Sequence, residues 1–383
     1  MMRLDGGWST ALDPHAANRN KALSEEQTRA RKETTKMIGD KPTSILTRAH
    51  SAFINYPRIQ ALSKDIELCQ RTSQIAGEPH CIALEGPTGA GKTTMLQRYT
   101  EAYPPRDGAG GTDVPVLYVQ TPSPITVKGM VSTMLEELGD PAAHRGTQAQ
   151  LDSRLVYLLS ACSVELVILD DFHNLTYVEK PWLMASVSNW LKAMIKKSGV
   201  PFLVVGIEGK VEPILQTNPE LSRLFAVRET LYPFAWSTRN EGTIKEFATF
   251  IGHAERAAGM PLTEALPRVD LLHRLHYATD GVVANIMNLL RYAQVLAIQR
   301  GAEAIELDDL AAAFQKRLSQ HVSSRVNPFI ENEDGVLPTT QLPTPAKPAR
   351  SAPAYVGSVK VKSRRSGDGR PIGTSVSRSP SAN

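Results

Sequence analysis

The stretch LEGPTGAGKTTML, residues 84–96, restricts the fold of this 383-residue chain more than any other segment. It contains G-x-x-x-x-G-K-[ST], a loop that cradles phosphate with its backbone and works only between a buried strand and a helix. Gly86 and Gly91 permit backbone conformations that let successive amide N–H groups converge on phosphate oxygens. Pro87, Thr88, Gly89 and Ala90 complete the loop. The helix starting near Lys92 adds the positive end of its dipole. Lys92 has the reach for β- and γ-phosphates, Thr93 ligates Mg²⁺, and Thr94 follows in the first turn. The context is present: the apolar HCIALEG leads in, and KTTMLQRYTEAY has helical character up to Pro104. ATP and Mg²⁺ are the expected ligands.

A second apolar run, VELVILDD, resembles a strand buried on both faces of a parallel sheet. An acid at the end of such a strand, beside the loop strand, suits the magnesium shell, which points to Asp170. Asp171 is then the candidate to orient and deprotonate the attacking water. It is one methylene shorter than the glutamate more usual there, which predicts slow hydrolysis suited to a switch. The strand PFLVVG ends at the same site, but Ile207 and Glu208 after it are not the Asn or Thr expected of a γ-phosphate sensor. Arg223 is the candidate finger reaching a neighbouring subunit's phosphate. Arg228 is a weaker one, and for both the alternative is an ion pair with Glu220 or Glu229.

Strand and helix patterns alternate as far as ETLYPFAW, while only helical periodicity follows from Ser237. In VVANIMNLLRYAQVLAIQRG, residues Val282, Ile286, Leu289, Leu290, Ala293 and Ala297 share one face. The organisation expected is α/β: an N-terminal extension (1–45), partly helical around LSEEQTRARKETTKMI or else disordered, then a parallel-sheet nucleotide-binding domain (46–236). An all-helical lid (237–322) and a disordered Pro/Ser/Arg-rich basic tail (323–383) complete it. RDGAGGTD reads as a flexible turn. Residues 341–383 carry eight Lys or Arg against one acid, so the remainder of a chain of net charge +4 is mildly acidic. Any nucleic-acid contact by the body therefore needs local basic patches. Three scattered cysteines without a C-x-x-C pair argue against a disulfide or zinc framework. No apolar run reaches eighteen residues and no signal-peptide core opens the chain, so no membrane contact and a cytoplasmic location are expected.

INYPRIQAL, GPTGAGKTTML, LVILDDFHNL, GVPFLVVGIEG, LSRLF and TDGVVANIMNLLRYAQVLAIQRGAEAIELDDL occur in this order. Together they resemble the TniB/TnsC-type AAA+ ATPases of Tn7-like and Tn5053-like transposons, over roughly residues 45–320. Beyond the nucleotide motifs, the segment Asp170–Leu175 is the most specific match. The resemblance implies an AAA+ P-loop NTPase core with a helical lid. It also implies an ATPase that forms homo-oligomers around double-stranded DNA, without base specificity. Such proteins bridge a target-selection protein (TniQ/TnsD-like) to a transposase, which stimulates hydrolysis and disassembly. The family's lid arginine near the TDG turn falls here at Asn285, with Arg291 further along the helix. The DNA-facing wall of its relatives nominates Thr126, Lys128 and Arg145, each equally readable as solvated surface. His173 is expected to couple the site to a neighbouring element. NPFIENEDGVLP in the tail suits a protein-docking peptide.

Two other function classes remain compatible with the motifs. A helicase loader or replication initiator would use the same core, although an initiator normally adds a DNA-reading domain not evident beyond residue 320. A nucleotide-gated protein-interaction switch would show no ATP-dependent gain in DNA affinity.

Overall fold

Parallel strands need cover on both faces, and the period-two alternation of the apolar runs provides it. The computed structural model describes residues 53–76, 79–108, 111–123, 126–177, 181–319 and 326–330. Five strands form one parallel sheet: β1 (Ile82–Glu85), β4 (Val116–Gln120), β5 (Leu166–Asp170), β6 (Phe202–Val205) and β7 (Val227–Thr230). Their order is β4-β5-β6-β1-β7. Ala83, Leu117, Val119, Val167, Leu169 and Val204 face one core, covered by α3 (Val127–Glu137), α4 (Gln148–Ala161) and α5 (Pro181–Ser198). Leu84, Ile168, Leu203 and Val205 face the other, with α1 (Pro57–Ala76), α2 (Lys92–Glu101) and the C-terminal helices.

β6 pairs with β1 on one side and β5 on the other. This corrects the expectation that the Asp170 strand adjoins the loop strand. One strand separates them, and α2 spans the gap on the sheet face that Asp170 shares with Ile168. RDGAGGTD differs too, because β2 (Arg106–Gly108) and β3 (Gly111–Asp113) pair antiparallel around its glycines.

After β6, the short helices α6 (Glu212–Gln216) and α7 (Pro219–Leu224) lead into β7. Among the described residues only helices follow: α8 (Glu241–Ala258), α9 (Arg268–Thr279), α10 (Val283–Gln299) and α11 (Leu307–Arg317). Their apolar faces meet around Phe247, Leu275, Ile286, Leu289 and Phe314, all essentially buried. α9 and α10 are joined at Asp280 and Gly281, both left-handed. A Cβ on Gly281 would lie 2.1 Å from the Phe234 carbonyl oxygen, so only glycine fits this turn.

Residues 326–330 lie in the segment expected to lack fixed structure, yet they pack on these helices. Phe329 is buried, 6.5 Å from Phe314 between ring centres, and the buried Arg274 donates to the Pro328 carbonyl at 2.8 Å. The Asn327 amide donates to the Ala311 carbonyl at 2.9 Å. The apolar and acidic docking peptide read from the sequence thus begins by docking on its own chain. The helix expected around LSEEQTRARKETTKMI and the rest of the tail lie outside the described residues.

Candidate active site

The loop does what its glycines require. Gly89 and Gly91 have φ of 81° and 95°, and a Cβ on Gly86 would meet the Leu231 carbonyl oxygen at 2.5 Å. Gly91 caps α2, so Lys92 and Thr93 open that helix. The Lys92 ammonium donates to the carbonyls of Gly86 at 2.7 Å and Pro87 at 3.0 Å. Partial burial pushes its pKa down, while Asp170, Asp171 and Glu85 pull it back up.

Asp170 is the centre of the constellation and is 1% exposed. Its Oδ2 accepts from Thr93 Oγ1 at 2.7 Å and from the Tyr118 hydroxyl at 2.9 Å. Its Oδ1 accepts from the Asp171 amide at 2.9 Å. The two acids therefore diverge. Asp171 adopts φ 54° and turns its carboxylate into the cavity, where Gln120 Nε2 donates to it at 3.1 Å. His173 Nδ1 lies 3.9 Å from Asp171 Oδ1 and also faces the cavity. Burial pushes the His173 pKa down, opposed chiefly by Asp171.

The cavity has a volume of about 540 Å³, adequate for a nucleotide-sized ligand. Thr88 to Thr94 form one wall, while Phe53, Ile54, Tyr56, Ile59 and Phe250 make an apolar end suited to a planar base. Tyr56 packs edge-on against Phe250, and burial pushes its phenol up to about 12. Arg58, from the same INYPRIQAL segment, donates to the Tyr232 carbonyl at 2.6 Å and pairs with Glu246 at 2.7 Å. That segment thereby joins the cavity wall to α8.

The third wall is α10. Its Ala284 amide donates to the Gly89 carbonyl at 2.9 Å, a backbone contact allowed by the small residues on both sides. Met287, Asn288 and Arg291 continue the wall into the cavity. Asn285, the position inferred for a lid arginine, instead donates from its amide to the Thr279 carbonyl at 3.2 Å. The cavity cation on this helix is Arg291, about two helical turns beyond the Ala284 contact with the loop.

Other candidates are placed with equal clarity. Ile207 lines the cavity, and the Glu208 amide donates to the Gly86 carbonyl at 3.2 Å. A Cβ on Gly206, just after β6, would meet Val211 Cγ2 at 2.5 Å and His173 Cβ at 3.1 Å. Arg228 is committed within the chain, to Glu212 and to Ser222 Oγ at 2.7 Å. Glu220 pairs with Lys196 and Lys192 instead of either arginine. Arg223 is exposed in the last turn of α7 and makes no hydrogen bond or ion pair among the described residues. Thr126 caps α3 by accepting from the Gly129 amide at 2.9 Å, with Lys128 exposed beside it. Arg145 is exposed in the loop beyond the other end of α3, next to His144, which bonds Glu136. The structure thus brings Thr126 and Lys128 together and leaves Arg145 apart.

Three site residues had no signal strong enough to single them out in the sequence: Tyr118, Gln120 and Glu85. Glu85 ends β1 and accepts from the amides of Gly209, Val211 and Glu212 at 2.7–3.0 Å, fixing the turn after β6.

The family model for the bacterial TniB protein matches residues 45–234, the segment that holds the loop, both acids and Arg223. Through that segment the chain belongs to the TniB family. No curated protein matches the chain. Among solved structures, Cdc6p from Pyrobaculum aerophilum is similar at 17% identity and a TM-score of 0.52, covering 73% of this chain and 74% of that one. The Aeropyrum pernix ORC2 protein, in ADPNP and ADP complexes, is 16% identical with a TM-score of 0.49 over 73% and 74%. The Cdc6p likeness supports the fold: TniB sequence on an AAA+ nucleotide-binding core followed by helices.

Proposed function

We propose that this chain is an ATP-dependent regulator of DNA transposition, acting in the cytoplasm. It assembles with ATP on double-stranded DNA, links a target-selection protein to the transposase, and disassembles when ATP is hydrolysed. The observation that carries this reading is the TniB match over the segment that holds Lys92, Thr93, Asp170 and Asp171.

The site residues fit a magnesium–nucleotide pair. Thr93 Oγ1 and Asp170 Oδ2 are hard oxygen donors 2.7 Å apart. Magnesium is commonly held by one or two such groups together with substrate phosphates. Among the described residues no group of three His, Cys, Asp or Glu forms a separate cage. When bound, the ion neutralises charge on the phosphates. Lys92 exchanges its two loop carbonyls for phosphate oxygens, and the loop amides bind the remainder. Asp171 orients water and accepts its proton, held by Gln120. Arg291 contacts the nucleotide from α10, so that the helical lid responds to its state. Arg223, exposed and uncommitted, reaches a neighbouring subunit's site.

DNA is held through its phosphates by the start of α3, where Thr126 and Lys128 lie together, with Arg145 as a separate contact. Electron microscopy of the protein with duplex DNA tests the reading. Rings or filaments with a non-hydrolysable ATP analogue, absent with ADP, are expected. Nucleotide-independent DNA binding without oligomers would sink it.

A further inference from the structure

The hydroxyl of Tyr118 is spent on one partner. β4 presents Val116, Tyr118 and Gln120 on a single face by its period of two, and this face is shared with Asp170 on the neighbouring strand. The Tyr118 ring packs against the apolar core beside α2, a task phenylalanine would perform equally. What phenylalanine lacks is the 2.9 Å hydrogen bond to Asp170 Oδ2.

We propose that Tyr118 is a positioning residue for the divalent cation that accompanies the nucleotide, acting by fixing the Asp170 carboxylate. The role rests on the magnesium–nucleotide reading above. Asp170 is pinned from three directions: α2 through Thr93, β4 through Tyr118, and its own chain through the Asp171 amide. Pinned in this way, it keeps the single hydroxyl proton of Thr93 directed at Oδ2. The lone pairs of Thr93 Oγ1 then remain available to a cation. Without the phenol, Oδ2 keeps only the Thr93 bond, and the carboxylate is free to turn toward other donors. Tyr118 does not itself line the cavity, and Lys92 and the loop amides make no bond to it, so their phosphate contacts are expected to persist.

The test uses the full chain and a fluorescent ATP analogue, first in EDTA and then titrated with Mg²⁺ at fixed nucleotide. Tyr118→Phe should leave the affinity in EDTA unchanged and raise the Mg²⁺ concentration for half-saturation by about tenfold, the scale of one lost hydrogen bond to a charged group. Tyr99→Phe is the control. It removes another buried phenol bond, to Gln70 Oε1 at 2.6 Å, outside the site, and should shift neither quantity. An unchanged Mg²⁺ half-saturation in Tyr118→Phe overturns the role. So does an equal shift in Tyr99→Phe, or a parallel loss of affinity in EDTA. A wild-type protein showing no magnesium-dependent gain overturns the nucleotide reading and this role with it.

Discussion

Asp171 and Asp170 are neighbours in sequence with different surroundings, and the backbone between them produces the difference. Asp170 ends an extended strand and is buried among donors, whereas Asp171 turns left-handed at φ 54° and enters the cavity. Such a conformation is uncommon for a residue with a side chain, and Asp is among the residues that tolerate it. There Gln120 donates to its Oδ2. If Asp171 is the base that accepts the water proton, Asp171→Asn should retain magnesium–nucleotide binding. Turnover should fall on the order of a hundredfold or more, the usual contribution of a positioned base. Phosphate release measured beside nucleotide affinity checks this, and unchanged turnover would remove Asp171 from the role.

At the scale of elements, the contact between α10 and the phosphate loop depends on one turn. Gly281 combines φ 65° with a carbonyl 2.1 Å from where a Cβ would stand. Gly301 has a similar φ of 73° with open space around it. Gly301→Ala should therefore cost about 1–3 kcal/mol for the backbone conformation alone. Gly281→Ala should cost more and also weaken nucleotide binding, since α10 must move from the loop. Thermal melts of both variants, with nucleotide affinity, separate the two contributions; equal losses would mean that the Phe234 contact is irrelevant. α9 adds a pH dependence. His273 stacks on Trp236 with ring centres 5.0 Å apart, and His276 lies 5.7 Å from the same ring. Burial lowers the His273 pKa, Asp270 raises it and Arg274 lowers it again. The unfolded chain takes up this proton near about pH 6.5, before the folded one does. Its contribution to stability is present above that pH and is lost as the pH falls through the lower folded value. His273→Phe keeps the stack without the titration. The melting temperature of wild type should drop relative to the variant on going from about pH 7 to pH 5.

These elements also show what the sequence could and could not convey. The phosphate loop, its strand and helix, and the acids at the end of VELVILDD were legible because each is a local pattern with one structural solution. The intervening β6 was not, since strand order depends on long-range pairing that no local pattern encodes. Tyr118 alternates with Leu117 and Val119 as an ordinary strand residue, and only the register against β5 brings its hydroxyl to Asp170. Asn285 and Arg291 lie on one helix, and choosing between them requires the helix phase relative to the loop. That phase is set by the Ala284–Gly89 contact. Docking of Phe329 likewise needs the groove between α9 and α11 to exist first.

For the whole molecule, the informative contrast is between Arg228 and Arg223. The chain spends Arg228 on Glu212, Ser222 and the Phe225 carbonyl, closing the α6–α7 segment onto β7. Arg223, five residues earlier, projects from α7 with no such partner among the described residues. An arginine needed for the fold bonds as Arg228 does; the Arg223 side chain, like those of the exposed Arg106, Arg145 and Arg239, does not among the described residues. One serving a neighbouring copy stays available on the surface until assembly. Arg223→Ala should therefore leave the melting temperature and single-subunit nucleotide binding nearly unchanged and lower turnover by about a thousandfold, the lower range for an arginine supplied to a phosphoryl-transfer site. Mixing decides the direction. Arg223→Ala subunits keep an intact Asp171, and Asp171→Asn subunits keep an intact Arg223. Each is inactive alone, yet a mixed assembly contains interfaces with one good copy of both. Turnover should reappear on mixing and rise toward equal proportions. No recovery, with mixed assemblies confirmed by microscopy, would place Arg223 outside the neighbouring subunit's site.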